Sequence, residues 1–251
     1  MSEVTPEAYG TVLITGSLSP LGQAIAKKLS AEGYRLLLHV RNDNEEARDF
    51  AQSLGSVLLI RGDLSDPASL RNIADIAIDK GVDILINNAA VFRPVALDSP
   101  AYEDQWRAIM EVNITAPFLL SRLIGLDICR RNKMMGKTQT GHIICISDAH
   151  SEEKIFPGYS PYLISKSALN SVVRSLAIEL APHVCVNAIA PGIIDTPSSI
   201  PSNINRTNLI SHIPMRRLGV PDDVATAVST LLKQTYCTGA VIPVDGGRSL
   251  I

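Results

Sequence analysis

Residues Thr11–Gly22 read TVLITGSLSPLG. Thr11-Val12-Leu13-Ile14 is an unbroken aliphatic and β-branched run, and Leu21-Gly22 open a segment with helical spacing. A strand buried on both faces carries such a run. The glycines permit a tight turn and a close backbone approach, while the helix that follows turns free N–H groups and the positive end of its dipole toward that turn. Strand, glycine turn and helix N-terminus in this order form a cradle for a pyrophosphate. Only two of the three glycines of a GxGxxG turn are present, so a plain strand–helix turn remains an equal reading until the rest of the chain is weighed.

The same alternation continues outward. Short aliphatic runs recur at Tyr34–Val40, Val57–Ile60, Asp83–Ile86, His142–Ile146, Cys185–Ile189 and Ala240–Val244. Helical spacing separates most of them, at Gly22–Ala31, Pro67–Ile78, Asn113–Arg131, Tyr162–Leu180 and Pro221–Leu232. Asp66 is a good N-cap for the helix at Pro67, with proline at its first position. The order predicts an α/β fold: a single-domain, doubly wound, Rossmann-like, mostly parallel seven-stranded sheet with helices on both faces, spanning 1–251. The segment 192–214, rich in Pro, Ser and Asn, follows the sixth strand and reads as a substrate-side loop or as an ordinary surface excursion.

Composition narrows the classes. The 251 residues are 46% hydrophobic and 19% charged, which supplies a core and excludes disordered and collagen-like chains. The net charge of −2, with scattered basic residues, gives no field for nucleic acid. The cysteines (Cys129, Cys145, Cys185, Cys237) are far apart and lack metal spacing, so no metal site is expected and a reducing cytoplasm fits. Met1–Gly10 is polar and acidic, unlike a signal peptide, and no apolar run approaches the ~20 residues of a membrane span. Aromatics are scarce: four Phe, six Tyr and one Trp.

The second strand ends in His39-Val40-Arg41-Asn42, where an NAD-preferring site would carry an acid for the ribose 2′-hydroxyl. With no acid to repel a 2′-phosphate and Arg41 able to pair with one, NADP(H) is the expected cofactor, unless Arg41 is only a solvated loop residue. Asp63, after the third strand, is placed either to meet the adenine or to cap the next turn. Tyr162 and Lys166 stand at i and i+4 on one helix face. An ammonium there favours the tyrosinate, lowers the phenol pKa from ~10 and suits proton exchange during hydride transfer.

With Asn87-Asn88-Ala89-Ala90 after the fourth strand, Pro191-Gly192 after the sixth and Asp245-Gly246-Gly247 near the end, the chain from Thr11 to Leu250 resembles the short-chain dehydrogenase/reductase family. The resemblance implies that Tyr162 is the proton donor, that Lys166 assists it and holds the nicotinamide ribose, and that Asn113 anchors a proton-relay water. It places the cofactor along Gly16, Ser17, Ser19, Leu21 and Gly22, then His39, Arg41 and Asn42, then Asp63 and Leu64. Asn87 and Ala89 line the cleft, and Pro191, Gly192, Ile194 and Thr196 run past the nicotinamide. The same resemblance implies a homotetramer acting on a small-molecule substrate.

Two departures stand out. Pro20 occupies a position usually held by glycine, which removes one N–H and shifts phosphate binding toward neighbouring amides and Ser17 or Ser19. The fifth strand ends Ser147-Asp148 where the family has Ser–Ser, and Asp148 lies one residue further from Tyr162 than is usual. A carboxylate repels a developing alkoxide but can assist a C=N bond that gains a proton on nitrogen. Asp148, with Phe92 as a stacking aromatic, is similar to the pteridine reductase and dihydromonapterin reductase branch. That likeness implies reduction of a dihydropterin to its tetrahydro form. The alternatives are a carbonyl reductase of the 3-oxoacyl-carrier-protein type using Ser147 and Tyr162, with Asp148 a loop cap and Phe92 a core aromatic, and an inactive NADP(H)-binding regulatory protein.

Overall fold

The computed structural model describes residues 10–55, 57–136, 141–151, 157–196 and 205–251. Seven strands and eight α-helices alternate among them: β1 (Thr11–Ile14), α1 (Pro20–Ala31), β2 (Arg35–Val40), α2 (Glu45–Ser53), β3 (Leu58–Arg61), α3 (Pro67–Asp79) and β4 (Ile84–Asn87). Then come α4 (Tyr102–Met110), a π-helical turn (Glu111–Thr115), α5 (Ala116–Met135), β5 (Gly141–Ile146), α6 (Ser160–Glu179), β6 (Val184–Pro191), α7 (Arg206–Ser211), α8 (Pro221–Leu232) and β7 (Val241–Val244). A 3-10 turn, Arg248–Leu250, closes the chain.

The strands form one sheet in the order β3-β2-β1-β4-β5-β6-β7. Every pairing is parallel, where the sequence reading allowed a mixed sheet. Period-two alternation explains why the strands read as unbroken apolar runs. Leu13, Leu37, Leu85, Ile143 and Cys145 pack on the face covered by α3, α5 and α6. Val12, Ile14, Leu36, Leu38, Ile84, Ile86, Ile144 and Ile146 pack on the face covered by α1 and α8. Both faces are buried, and each fully buried leucine or isoleucine contributes about 1.5–3 kcal/mol.

The helix starts follow local chemistry. The Ser19 hydroxyl accepts the Gly22 N–H at 3.1 Å, and Asp66 accepts the Ser69 N–H at 2.9 Å. Pro20 and Pro67 sit in the first turn, where a missing N–H costs little. The helix expected over 113–131 begins further back, because α4 and the π turn feed into α5. By length and composition Tyr102–Met135 could cross a membrane, contrary to the sequence expectation, yet half of that window is buried inside the protein. It is the place of a core helix. Within 192–214, α7 occupies 206–211, while 197–204 lies outside the described residues.

Strand order reverses between β1 and β4, which neighbour each other across the middle of the sheet. The carboxyl ends of parallel strands at such a switch point open onto a crevice where ligands bind. Thr15, Asn88, Asp148, Gly192 and Asp245 each follow a strand end there.

Candidate active site

The glycine turn is held by its neighbours. Gly16 has φ +62°, and a Cβ on it would stand 2.9 Å from the Ala89 Cα, so only glycine fits both the backbone and the space. The Thr15 Oγ1 accepts the N–H groups of Asn88 (3.0 Å) and Ala89 (3.1 Å). The Asn88 amide reaches back to the carbonyls of Thr15 and Gly16, each at 2.9 Å, and to the Ser19 hydroxyl at 3.1 Å. The end of β4 thus clamps the turn after β1.

Three expected cofactor contacts are corrected here. The Ser17 side chain is fully buried and donates to the His39 carbonyl at 3.1 Å, so its hydroxyl faces the protein. His39 is also buried. Its Nδ1 accepts the Gly16 N–H at 3.2 Å and its Nε2 lies 3.0 Å from the Gly62 carbonyl, which fixes the neutral Nε2–H tautomer. Burial pulls the His39 pKa down, in keeping with that state. Asn87 points into the core, with Nδ2 on the Ser121 hydroxyl at 2.9 Å and on the Cys145 sulfur at 3.6 Å. Strand alternation carries the signal: Asn87 ends β4 facing inward, so the next residue, Asn88, faces the turn.

Ser19 is exposed, accepts from Gly22 and Asn88, and keeps its own O–H proton as a donor at the mouth of α1, beside Leu21. Past β2, Arg41 Nη2 stands 2.9 Å from Asp63 Oδ2. Asp63 also accepts from the Ser65 hydroxyl and N–H at 2.6 and 2.9 Å, bonds that hold its carboxyl below the usual range. It therefore caps its own turn and meets Arg41 at once. Arg41, Asn42, Gly62 and Asp63 line a cleft of about 580 Å³. Leu64 packs into the core instead of facing that cleft. On the far side, the Gly192 N–H donates to the Val244 carbonyl at 3.0 Å, next to Pro191, which ends β6. Ile194 is buried and pairs with Gly219, and Thr196 is half-buried.

Tyr162 lies in the first turn of α6, and Lys166 lies one turn on. The Tyr162 hydroxyl donates to Asp148 Oδ2 at 2.8 Å. The other oxygen, Oδ1, accepts the His150 N–H at 2.8 Å. Burial pushes the Asp148 carboxyl up, but hydrogen bonds from His150 and Tyr162 outweigh it and keep the group below the ordinary range. Burial first, and the Asp148 carboxylate second, push the Tyr162 phenol well above its ordinary ~10. Lys166 Nζ donates to the Ile146 carbonyl at 2.7 Å and sits 5.8 Å from the centre of the Tyr162 ring. Burial pulls its pKa down to about 8. The expectation that Lys166 lowers the phenol pKa is corrected: burial of the phenol, and then the Asp148 carboxylate in contact with it, raise the value instead.

Ser147 is corrected as well. Its hydroxyl donates to Asn170 Oδ1 at 2.6 Å and is buried, so it faces away from Tyr162. Asn113, within the π turn, accepts the Val91 N–H at 2.8 Å. It donates to the Val91 carbonyl at 3.1 Å and to the Ser165 hydroxyl at 2.9 Å. Its side chain braces the segment after β4 against α6. Phe92 is 57% exposed, so it is no core aromatic. It stacks on Tyr159 at 4.9 Å and meets Tyr162 edge-on at 4.7 Å. Tyr159 escaped the sequence reading; its place just before α6, beside Gly158, is the signal that was available.

The family model described as enoyl-(acyl carrier protein) reductase matches residues 16–249. The provisionally named ketoacyl reductase 2 of the granaticin polyketide synthase of Streptomyces violaceoruber is 33% identical over 259 residues, covering 100% of both chains. 3beta-Hydroxysteroid dehydrogenase 1 of Eggerthella lenta is 32% identical, covering 96% of this chain and 94% of its own. A metagenomic blue fluorescent protein in complex with NADPH superposes with a TM-score of 0.84 at 28% identity, covering 96% of this chain and 98% of the other.

Proposed function

The chain belongs to the short-chain dehydrogenase/reductase family, and from that premise we propose that it is an NADPH-dependent reductase of a ketone carbonyl, with ketoacyl thioesters as the leading substrate class. One observation carries the role of Tyr162: its hydroxyl is held protonated at 2.8 Å from Asp148 Oδ2, which suits a proton donor. The names of the ketoacyl reductase and hydroxysteroid dehydrogenase relatives support a carbonyl substrate.

The residues present fit the cofactor. The glycine turn is shaped by contacts that any Cβ on Gly16 would break, and the cleft at Arg41 and Asn42 lies beyond β2. In this reading Ser19 and the α1 N-terminus, with Leu21 and Gly22, hold the pyrophosphate, Arg41 leaves Asp63 for a 2′-phosphate, and Lys166 holds the nicotinamide ribose. NADPH, when bound, supplies the hydride. The Tyr162 hydroxyl turns from Asp148 to the substrate and gives its proton to the atom that gains charge, and the Lys166 ammonium stabilises the phenolate left behind. Asp148 fixes the phenol by accepting its hydrogen bond, and Phe92 and Tyr159 offer aromatic surface at the entrance.

A second reading has its own observation. Asp148 stands where a neutral hydroxyl would serve an alkoxide better, and Ser147 faces away. A carboxylate is compatible with a C=N bond whose nitrogen takes the proton, as in a dihydropterin stacked on Phe92. NADPH oxidation with an acetoacetyl thioester, dihydrobiopterin and dihydrofolate side by side separates the two. Turnover of the thioester alone supports the carbonyl reading, and turnover of the pterins alone replaces it with the second. Exposed apolar residues Phe118 and Leu126 on α5 and Ile164 and Ile178 on α6 support self-association as a homotetramer, which sedimentation tests.

A further inference from the structure

Asp148 is gripped from behind by two residues outside the Tyr–Lys pair. The ring of His150 is buried, and its Nδ1 stands 3.4 Å from Asp148 Oδ1, the oxygen that also accepts the His150 backbone N–H. On the other side of the ring, Arg248 Nε donates to His150 Nε2 at 2.9 Å. Arg248 is buried too, and it lies 98 residues away in the chain. The turn Asp245-Gly246-Gly247 delivers it. Gly246 and Gly247 adopt φ +65° and +83°. The Asp245 carboxylate takes the N–H groups of Gly247 at 2.9 Å and Ser249 at 2.7 Å, which holds the final 3-10 turn with Arg248 on His150.

The proton inventory orders this chain. A guanidinium has only donors and is always charged, so His150 Nε2 must accept. The neutral ring then carries its proton on Nδ1, toward Asp148. Asp148 Oδ1 faces two N–H groups, and Oδ2 is left for the Tyr162 hydroxyl. The charged groups around the ring are Asp148, Arg248 and Asp245, the last within electrostatic reach of it.

We propose that His150 and Arg248 are positioning residues that fix the rotation and charge of Asp148, so that the C-terminal turn sets the geometry of the Tyr162 proton. The proposal rests on the reductase reading for its kinetic consequence but not for its structural one. A carboxylate free to rotate presents either oxygen to Tyr162 at varying angles, and a donor misplaced by fractions of an ångström loses rate.

Two measurements test it. Long-range ¹H–¹⁵N spectra of the wild-type protein, with its five histidines assigned using His150→Asn, report the tautomer without any substrate. The expected signal for His150 is a protonated Nδ1 and an unprotonated Nε2. The opposite tautomer, or an imidazolium at neutral pH, overturns the proposal. The second is a double-mutant cycle in NADPH oxidation, using the better of an acetoacetyl thioester and dihydrobiopterin. His150→Leu is expected to lower kcat about tenfold with Asp148 in place and less than about twofold in the Asp148→Ser background, with the KM for NADPH unchanged. Equal losses in both backgrounds, or no loss in either, contradict it. If His150→Leu does not fold, the cycle is run with His150→Asn, which keeps a donor toward Asp148, and with Arg248→Met. His150→Asn should then retain more activity than Arg248→Met, and the reverse order counts against the proposal. Wild-type inactivity with every substrate would remove the reductase reading, and the tautomer would still decide the geometry.

Discussion

The Tyr162 hydroxyl donates a 2.8 Å hydrogen bond to Asp148 Oδ2, joining the first turn of α6 to the residues that follow β5. The phenol consequently keeps its proton at neutral pH, and the carboxylate keeps its charge.

Removing that charge frees the phenol to ionise. Asp148→Asn should lower the Tyr162 pKa, because an anion in contact had opposed the tyrosinate. The check is the tyrosinate absorbance difference between each protein and its Tyr162→Phe counterpart. In the wild type this difference should develop only above pH ~10, and in Asp148→Asn it should develop at lower pH.

Lys166 should leave a mark on stability. Its folded pKa of about 8 lies below its unfolded value of ~10.4. Between those two values the unfolded chain binds more protons, so this group makes stability rise with pH from 8 toward 10. Below pH 8 its buried charge costs the full amount. Tyr162 acts oppositely: its raised folded pKa lowers stability once the unfolded tyrosines ionise above ~10. The unfolding free energy from urea titrations should therefore rise between pH 8 and pH 10 by about 2 kcal/mol more in the wild type than in Lys166→Met.

Arg41 tests cofactor choice. Its side chain is largely exposed and paired with Asp63 at 2.9 Å. Arg41→Ser should raise the KM for NADPH about tenfold, the scale of one charge-assisted phosphate contact, and leave the KM for NADH nearly unchanged. Equal changes for both cofactors would assign Arg41 to the loop alone.

Gly16 tests the clamp between β1 and β4. Gly16→Ala places a methyl group 2.9 Å from the Ala89 Cα at a φ of +62°. A loss of about 1–3 kcal/mol is expected in denaturant unfolding, together with weaker NADPH binding.

Phe92 separates recognition from folding. It is 57% exposed, so Phe92→Ala should leave the melting temperature within a few degrees. The substrate KM should rise several-fold as the stack with Tyr159 is lost.

Much of this was legible in the residues. Buried parallel strands announce themselves by unbroken apolar runs, and TVLITGSLSPLG marks both the first strand and the turn at the switch point. Asp66 and Pro67 announced α3, and the spacing of Tyr162 and Lys166 placed both on one helical face. Side-chain direction at strand ends was harder. Ser17, His39 and Asn87 lie in the right segments, yet their polar atoms are spent on the protein, and it is Asn88 that reaches the glycine turn. The charge balance at Tyr162 was not legible either, because it depends on a 2.8 Å contact across a loop and not on spacing along one helix. Arg248 reaching His150 joins residues 98 apart, and no local pattern foretells such a pairing.

The central claim is that Tyr162 donates the proton in an NADPH-dependent reduction. Its most direct test follows NADPH oxidation by wild type and by Tyr162→Phe, each first shown to bind NADPH, with an acetoacetyl thioester as substrate. The expected result is turnover by the wild type and a loss of roughly 10²–10⁴-fold in kcat for Tyr162→Phe, the range of a general acid, with NADPH affinity little changed. Turnover by Tyr162→Phe at the wild-type rate would contradict it.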